Sequence, residues 1–128
     1  MRSGPSDLKS TTVVEGLQMD IWEDRQGEIV ILAVHGKLDA ATSPLFEERL
    51  RPMLERGERN FLLDFSHLDY ISSAALRRLL MLAKKANEAG GKVVLASLKG
   101  GIREIFDMAG FTQIFPIHAS REEALRSF

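Results

Sequence analysis

The chain has 128 residues, a formal net charge of −1 and no cysteine. That length suits one domain of ordinary size, and the near-neutral charge gives no overall field to attract nucleic acid, so we expect no nucleic acid partner. Without cysteine, disulfides, thiolate metal ligands and thiol nucleophiles are excluded.

The first residues are predicted to form a tail. Residues 1–14 are rich in Ser, Thr, Gly and Pro and show no hydrophobic periodicity, which places the domain over residues 15–128. The tail lacks the apolar core of a signal peptide, and no apolar run in the chain is long enough to cross a bilayer. We therefore expect a cytoplasmic protein without direct membrane insertion.

Two strands near the start of the domain are predicted to form a hairpin. Leu17, Met19 and Ile21 alternate with Gln, Asp and Trp, which indicates a strand with one buried face. Residues 29–34 form a continuous apolar run, typical of a strand buried on both faces. The Arg-Gln-Gly sequence of residues 25–27 is the predicted turn between them.

A first helix is predicted after this hairpin. Ser43 is the expected N-cap and Pro44 the first helical residue. Pro52 lies inside the apolar pattern, so a kink or an early end is expected there. Part of the apolar face is supplied by Leu45, Leu50, Met53 and Leu54.

The next segment carries the most informative pattern in the chain. A short buried strand is predicted over residues 61–65, and the clearest helix over residues 75–89, ending at a Gly-Gly pair. Ser72 and Ser73 stand directly before this helix. Serine is a favoured N-cap, and the positive end of a helix dipole suits a phosphoryl group. Capping and phosphoryl chemistry are therefore both open for these hydroxyls.

The remaining elements complete a mixed α/β pattern. A buried strand is predicted over residues 93–96, a short helix that ends at Gly110, and an edge strand over residues 114–117, because Pro is confined to sheet edges. Ser120 begins a capping box for a last short helix. The order predicts a mixed central sheet of about four to five strands with helices mainly on one side.

Little else in the chain carries chemistry. His35, His67 and His118 are far apart in sequence, so no metal site is expected. Ser66 and His67 are neighbours, but adjacency is not the geometry of a catalytic triad. With no nucleotide-binding loop either, we expect no cofactor and no enzymatic activity.

Asp39 follows a buried strand and has two interpretations. It is either a turn residue whose carboxylate accepts bonds from nearby backbone N–H groups, or a functional residue beside the serine-bearing helix. Spacing along the sequence does not separate these two roles.

Three motifs in order resemble the STAS domain family, named for sulfate transporters and antagonists of anti-sigma factors. Gly36-Lys37-Leu38-Asp39 is similar to the family's Gly-Glu-Leu-Asp turn, and residues 63–80 resemble its strand, loop and phosphorylatable helix start. Residues 102–111 resemble its third-helix signature. The resemblance covers Leu17 to Leu125 and implies a STAS-type single domain.

The soluble members of this family imply a function for the chain. They are anti-sigma factor antagonists, which act in transcription regulation by partner switching. The implied partners are a serine-kinase anti-sigma factor with a GHKL-type ATPase fold, held by the unphosphorylated domain and released by the phosphorylated one, and a serine phosphatase. The expected oligomeric state is a monomer or a weak dimer.

The resemblance also assigns site residues. Ser73 aligns with the phosphorylated serine, while Ser72 occupies the position of the usual Asp and is a second candidate acceptor. Arg77 stands where the common motif has a glycine. It either contacts the partner and then the phosphoserine, or is a solvated arginine without a partner. The predicted partner-binding residues are Asp39, Ser72, Ser73 and Arg77.

Two alternative functions remain open from the sequence. One is a STAS subunit of a lipid- or other membrane-transport complex, which would bind a transporter ATPase through much the same helix face. The other is a STAS domain that senses a small ligand or nucleotide in a cleft between sheet and helices.

Overall fold

A computed structural model describes residues 9–10 and 19–128. This part of the chain contains seven strands and four α-helices. In chain order they are β1 (Lys9–Ser10), β2 (Met19–Gln26), β3 (Ile29–Leu38), α1 (Ser43–Glu55), β4 (Asn60–Asp64), β5 (Leu68–Ile71), α2 (Ser73–Glu88), β6 (Lys92–Ala96), α3 (Gly100–Met108), β7 (Ile117–His118) and α4 (Arg121–Arg126). A 3₁₀ turn, Phe111–Gln113, follows α3.

One mixed sheet runs through the molecule in the order β1-β2-β3-β4-β6-β7. The hairpin of β2 and β3 is antiparallel, as predicted, and β4, β6 and β7 add parallel strands. Strand β5 pairs with the last residues of β3, beyond the point where β4 ends. The predicted mixed sheet is therefore confirmed, with β1 and β5 as additional short strands.

Each face of the sheet has its own apolar layer. Val30, Leu32 and Leu63 face α1, α2 and α3 and belong to the larger core. Ile31 and Leu62 point to the opposite face, where α4 supplies Ala124. Because successive side chains of a strand point to opposite sides, this alternation places three helices on one side and one short helix on the other, as predicted.

The structure describes only part of the predicted N-terminal region. The turn of the hairpin is Gly27-Glu28, since residues 25 and 26 still pair within the strand. Two residues of the predicted tail, Lys9–Ser10, form β1 against Trp22 and Glu23. The rest of that tail, and Leu17, lie outside the described residues.

Helix α1 differs from its prediction at its first turn. The N-cap is Thr42, and Ser43 is already helical, so the assignment of Ser43 as the cap is wrong. The reason is a tight turn after β3, in which the Ser43 N–H donates to the Asp39 carbonyl oxygen at 2.8 Å. Pro52 does not end the helix, which continues to Glu55 with the proline exposed.

The sequence pattern did not predict strand β5, and it did not give the correct bounds of strand β7. In β5, Leu68 and Ile71 are buried while the two residues between them are exposed, which is not the alternation that predicts a strand. The prediction of an edge strand over residues 114–117 is wrong for residues 114–116, because the last strand is Ile117–His118. The 3₁₀ turn continues into a bond from the Phe115 N–H to the Phe111 carbonyl oxygen, and the Phe115 side chain lies in the core.

The longest helix, α2, confirms the predicted helix and begins two residues earlier than expected. It ends before Gly90, whose φ of 89° is accessible to glycine at little cost. None of the helices in the described part of the chain is long and apolar enough to cross a membrane.

Candidate functional site

Strand β5 brings the two candidate loops together. Leu38 pairs with Ile71, and the Ser72 N–H donates to the Leu38 carbonyl oxygen at 3.0 Å. Since β3 and β5 are parallel, their carboxyl ends lie side by side, and the helices that follow them begin at the same edge of the sheet. Asp39 is therefore placed beside the start of α2.

Ser72 is the N-cap of α2. Its backbone is extended (φ −94°, ψ 167°) and its hydroxyl oxygen accepts a hydrogen bond from the Ala75 N–H at 3.1 Å. This contact satisfies one of the backbone donors that every helix leaves free at its first turn. The hydroxyl of Ser72 is thus engaged in holding the helix start.

Ser73 is the first residue of α2, and its environment is different. Its side chain is exposed, and its hydroxyl forms no hydrogen bond with any residue that the structure describes. The hydroxyl stands at the positive end of a helix of 16 residues. Of the two neighbouring serines, Ser73 therefore offers the accessible oxygen.

Asp39 holds the turn that leads into α1. Its Oδ1 accepts hydrogen bonds from the N–H groups of Ala41 and Thr42, both at 2.9 Å, and lies 3.1 Å from the Thr42 hydroxyl. These bonds, the Thr42 N–H first, lower the pKa of the Asp39 carboxyl despite some opposing burial. Asp39 is therefore a turn residue, and the turn that it holds lies next to the start of α2.

Arg77 lies one turn beyond Ser73 on the same helix, about 6 Å along its axis. It is exposed and forms no ion pair with the described residues, whereas its neighbour Arg78 pairs with Glu47 of α1. Arg77 borders a shallow depression shared with Ala74 and Met81. Ser72, Ser73 and Arg77 therefore lie at the start and in the first turns of α2, and the Asp39 turn lies beside that start.

The structure also joins two histidines that the sequence treated as separate. The rings of His35 and His67 are stacked with centroids 4.5 Å apart, and the Trp22 ring lies 6.0 Å from His35. Burial, followed by the neighbouring His67, lowers the pKa of His35, against the opposing influence of Asp20 and Asp64. The sequence has no local pattern that predicts this cluster, because His35 of β3 and His67 of the β4–β5 loop meet only in the folded domain.

The arrangement around His67 is not that of a catalytic triad. The Ser66 hydroxyl lies 3.1 Å from His67 Nδ1, but the other side of the imidazole stacks on His35. A triad needs a carboxylate to orient the base. Within residues 9–10 and 19–128, no group of three His, Asp or Glu side chains is placed to hold a metal ion.

Comparisons with known proteins agree on one family. The family model described as STAS domain matches residues 23–124. The Bordetella bronchiseptica protein BtrV, provisionally named an anti-sigma factor antagonist, is 38% identical over 110 residues, which cover 86% of this chain and 95% of BtrV.

Solved structures show the same fold. A Thermotoga maritima protein, provisionally described as an anti-sigma factor antagonist, gives a TM-score of 0.79 at 21% identity and covers 82% of this chain and 91% of that one. The phosphorylated form of the Bacillus cell fate determinant SpoIIAA gives a TM-score of 0.68 at 17% identity. This match covers 84% of this chain and 97% of SpoIIAA. At these identities the likeness concerns the fold.

Proposed function

The chain belongs to the STAS domain family, and on this premise we propose that it is an anti-sigma factor antagonist switched by phosphorylation at Ser73. The unphosphorylated domain binds a serine-kinase anti-sigma factor through the edge formed by Asp39, Ser72, Ser73 and Arg77. That kinase transfers phosphate to Ser73 and dissociates, and a serine phosphatase restores the binding form.

One observation carries the assignment of the switch to Ser73. Its hydroxyl is exposed and unbonded within the described structure, while the Ser72 hydroxyl caps the helix. A kinase must reach the acceptor oxygen without unfolding the helix start, and Ser73 meets this requirement. The name of the relative BtrV supports the type of partner, because its 38% identity spans nearly the whole of both proteins.

The proposed mechanism is electrostatic and local. A phosphoserine carries a charge of about −1.5 to −2 at pH 7. At the first turn of α2 that charge is favoured by the helix dipole, so the domain stays folded. A partner surface fitted to a neutral hydroxyl would have to desolvate the dianion, which is unfavourable, and the complex separates.

Phosphate mapping tests the acceptor directly. The purified domain is incubated with ATP and purified serine-kinase anti-sigma factors from the same organism, and the modified residue is located by mass spectrometry. We expect phosphate on Ser73, none in the Ser73→Ala variant, and unchanged modification in Ser66→Ala. Phosphate on Ser72 alone would move the switch by one residue, and phosphate only on Ser66 or in the tail would contradict the proposal.

A binding comparison separates the proposed function from its main alternative. Complex formation is measured by size-exclusion chromatography with a kinase-type anti-sigma factor and, separately, with a transporter ATPase. We expect a complex with the anti-sigma factor that is lost on phosphorylation. If the domain binds the transporter ATPase but not the anti-sigma factor, and Ser73→Glu does not change that binding, the chain would instead be a transport subunit.

A further inference from the structure

An open groove separates α1 from α2 on the outer side of the helical layer. Its floor is apolar, and the groove is shallow, with a volume of about 40 Å³. Met81 is 54% exposed along this groove, whereas Phe46, Leu50 and Leu82 are buried. The apolar residues of this α1–α2 groove are Phe46, Leu50, Leu54, Met81 and Leu82.

The rim of the α1–α2 groove is positively charged. Arg78 is neutralised by its ion pair with Glu47. Arg51 and Lys85 also line the groove, are exposed, and form no ion pair with residues that the structure describes. Arg77 adds a third cation without an ion pair among the described residues, where the groove continues toward Ala74. An occupant that covers the apolar floor must therefore bring negative charge to the rim.

The direction of the groove connects it to the proposed switch. Helices α1 and α2 both follow strands that run the same way, so both begin at the edge that carries Ser73. The groove extends from Phe46 and Arg78, in the early turns of the two helices, to Leu54 and Lys85 near their far ends. From Ser73 to Lys85 the distance along α2 is about 18 Å, the length of roughly three helical turns.

We propose that the α1–α2 groove binds an acidic amphipathic helix of the anti-sigma factor partner. The proposal rests on the proposed function and adds a second contact region to the Ser73 edge. The apolar face of the partner helix packs against Met81 and Leu54, and its carboxylates pair with Arg51 and Lys85, which is the helix-in-groove mode of recognition. Arg77 lies where the two contact regions meet.

The distance between groove and switch has a consequence for regulation. Sites more than 7–10 Å apart without shared partners usually contribute additively. A change at Lys85 should therefore weaken binding by the same factor whether Ser73 is serine or glutamate. The groove supplies affinity that does not depend on phosphorylation, and Ser73 supplies the release.

A synthetic peptide tests the groove without the natural partner. The probe has about 14 residues, with leucines at i, i+3, i+4 and i+7 and glutamates elsewhere, and is titrated into the ¹⁵N-labelled full chain. We expect amide shifts at Leu50, Leu54 and Leu82, binding that weakens as salt rises, and no binding of the same peptide with lysines in place of glutamates.

Two adjacent lysines provide matched variants. Lys85→Glu reverses a rim charge and should weaken the acidic peptide roughly three- to tenfold. Lys84→Glu makes the same change in net charge on the same helix, but Lys84 borders a different depression with Asn87 and Ile114 and should leave binding unchanged. Equal losses in both variants, or shifts confined to Ile114 and its neighbours, would overturn the proposal.

The same variants keep this proposal separate from the function itself. If Ser73→Glu abolishes binding of the anti-sigma factor while Lys85→Glu binds it like wild type, the groove proposal fails and the switch stands. If Lys85→Glu weakens the acidic peptide but no anti-sigma factor binds at all, the proposed function fails and the groove remains an acidic-peptide site.

Discussion

Two neighbouring serines with the same chemistry have different environments in this domain. The Ser72 hydroxyl is held by the Ala75 N–H, and the Ser73 hydroxyl is exposed without a partner in the described structure. A single step along the chain changes the direction of the side chain, because Ser72 has extended backbone angles and Ser73 is helical. At the residue scale, the site is defined by which of two oxygens is free.

Charge at Ser73 should affect binding and leave stability unchanged. Ser73→Glu places a carboxylate at the positive end of α2, where it is tolerated. We expect a change in unfolding free energy within about 0.5 kcal/mol of wild type, as for ordinary surface substitutions. Binding to the anti-sigma factor, measured by titration calorimetry, should fall at least tenfold, while Ser73→Ala should bind but resist release by ATP. Wild-type affinity in Ser73→Glu would contradict electrostatic release.

Arg77 should contribute both to binding and to protection of the phosphate. Its guanidinium fork suits carboxylate oxygens of the partner before phosphorylation and phosphate oxygens afterwards, four residues from Ser73 on one helix face. Arg77→Ala should weaken binding of the unphosphorylated domain and speed dephosphorylation of the Ser73 phosphoform by a serine phosphatase. Arg103→Ala on α3 is the control. If Arg77→Ala matches wild type in its affinity for the partner and in its rate of dephosphorylation, Arg77 is an ordinary solvated side chain.

At the scale of elements, β5 builds the site. This strand of four residues pairs with the end of β3 and so joins the Asp39 turn to the start of α2. Its exposed residues, Asp69 and Tyr70, and its buried Leu68 and Ile71 do not alternate, so the strand has no clear signature. Strand β5, which sets the Asp39 turn beside the start of α2, is therefore an element that the sequence pattern did not predict.

The cap of α2 should be separable from the switch. Ser72→Ala removes the hydroxyl that accepts from the Ala75 N–H and should destabilise the domain by about 1 kcal/mol. Ser73→Ala removes no bond within the described structure and should cost less than about 0.5 kcal/mol. Urea denaturation of both variants measures the difference. Equal losses would mean that the two hydroxyls share the capping role.

At the scale of the whole molecule, an ion pair fastens the last helix to the back of the sheet. Asp64 at the end of β4 accepts from Arg121 at 2.9 Å and from the Ser66 N–H at 3.0 Å. Burial opposes the charge of Asp64, but these bonds outweigh it and lower the pKa of its carboxyl. The pair joins residues 57 positions apart, so it links α4 to the centre of the fold.

This ion pair should make stability depend on pH in the acid range. A carboxyl whose folded pKa lies below its unfolded value of about 3.9 stabilises the domain above that pH, and the contribution is lost as pH falls through the folded pKa. Asp64→Asn should therefore cost about 1–3 kcal/mol at pH 7.

The difference from wild type should shrink steadily below pH 4 in urea denaturation, because the wild-type carboxyl then becomes neutral as well. Asp107→Asn, which alters an exposed i, i+4 pair with Arg103, should change stability by less than about 0.5 kcal/mol both at pH 7 and below pH 4. A cost for Asp64→Asn that stays constant down to pH 2 would show that shape, and not charge, holds α4.

The sequence by itself determined the elements with strong local patterns and the family. The hairpin, the helix after the serines and the strand over residues 92–96 follow from periodicity and end signals within a few residues, which local propensities specify. Three motifs in order were enough to identify the STAS resemblance. The junction that carries Ser72 and Ser73 was also placed correctly, because a cap and a helical pattern are neighbours in the chain.

Only the tertiary structure decided how distant segments meet. The pairing of Leu38 with Ile71, which sets Asp39 beside the serines, joins residues 33 positions apart. The stacking of His35 on His67 and the row of cations along the α1–α2 groove likewise depend on strand register and on how helices pack against the sheet. Register and packing result from burying the whole set of apolar side chains together, and no local segment contains that information.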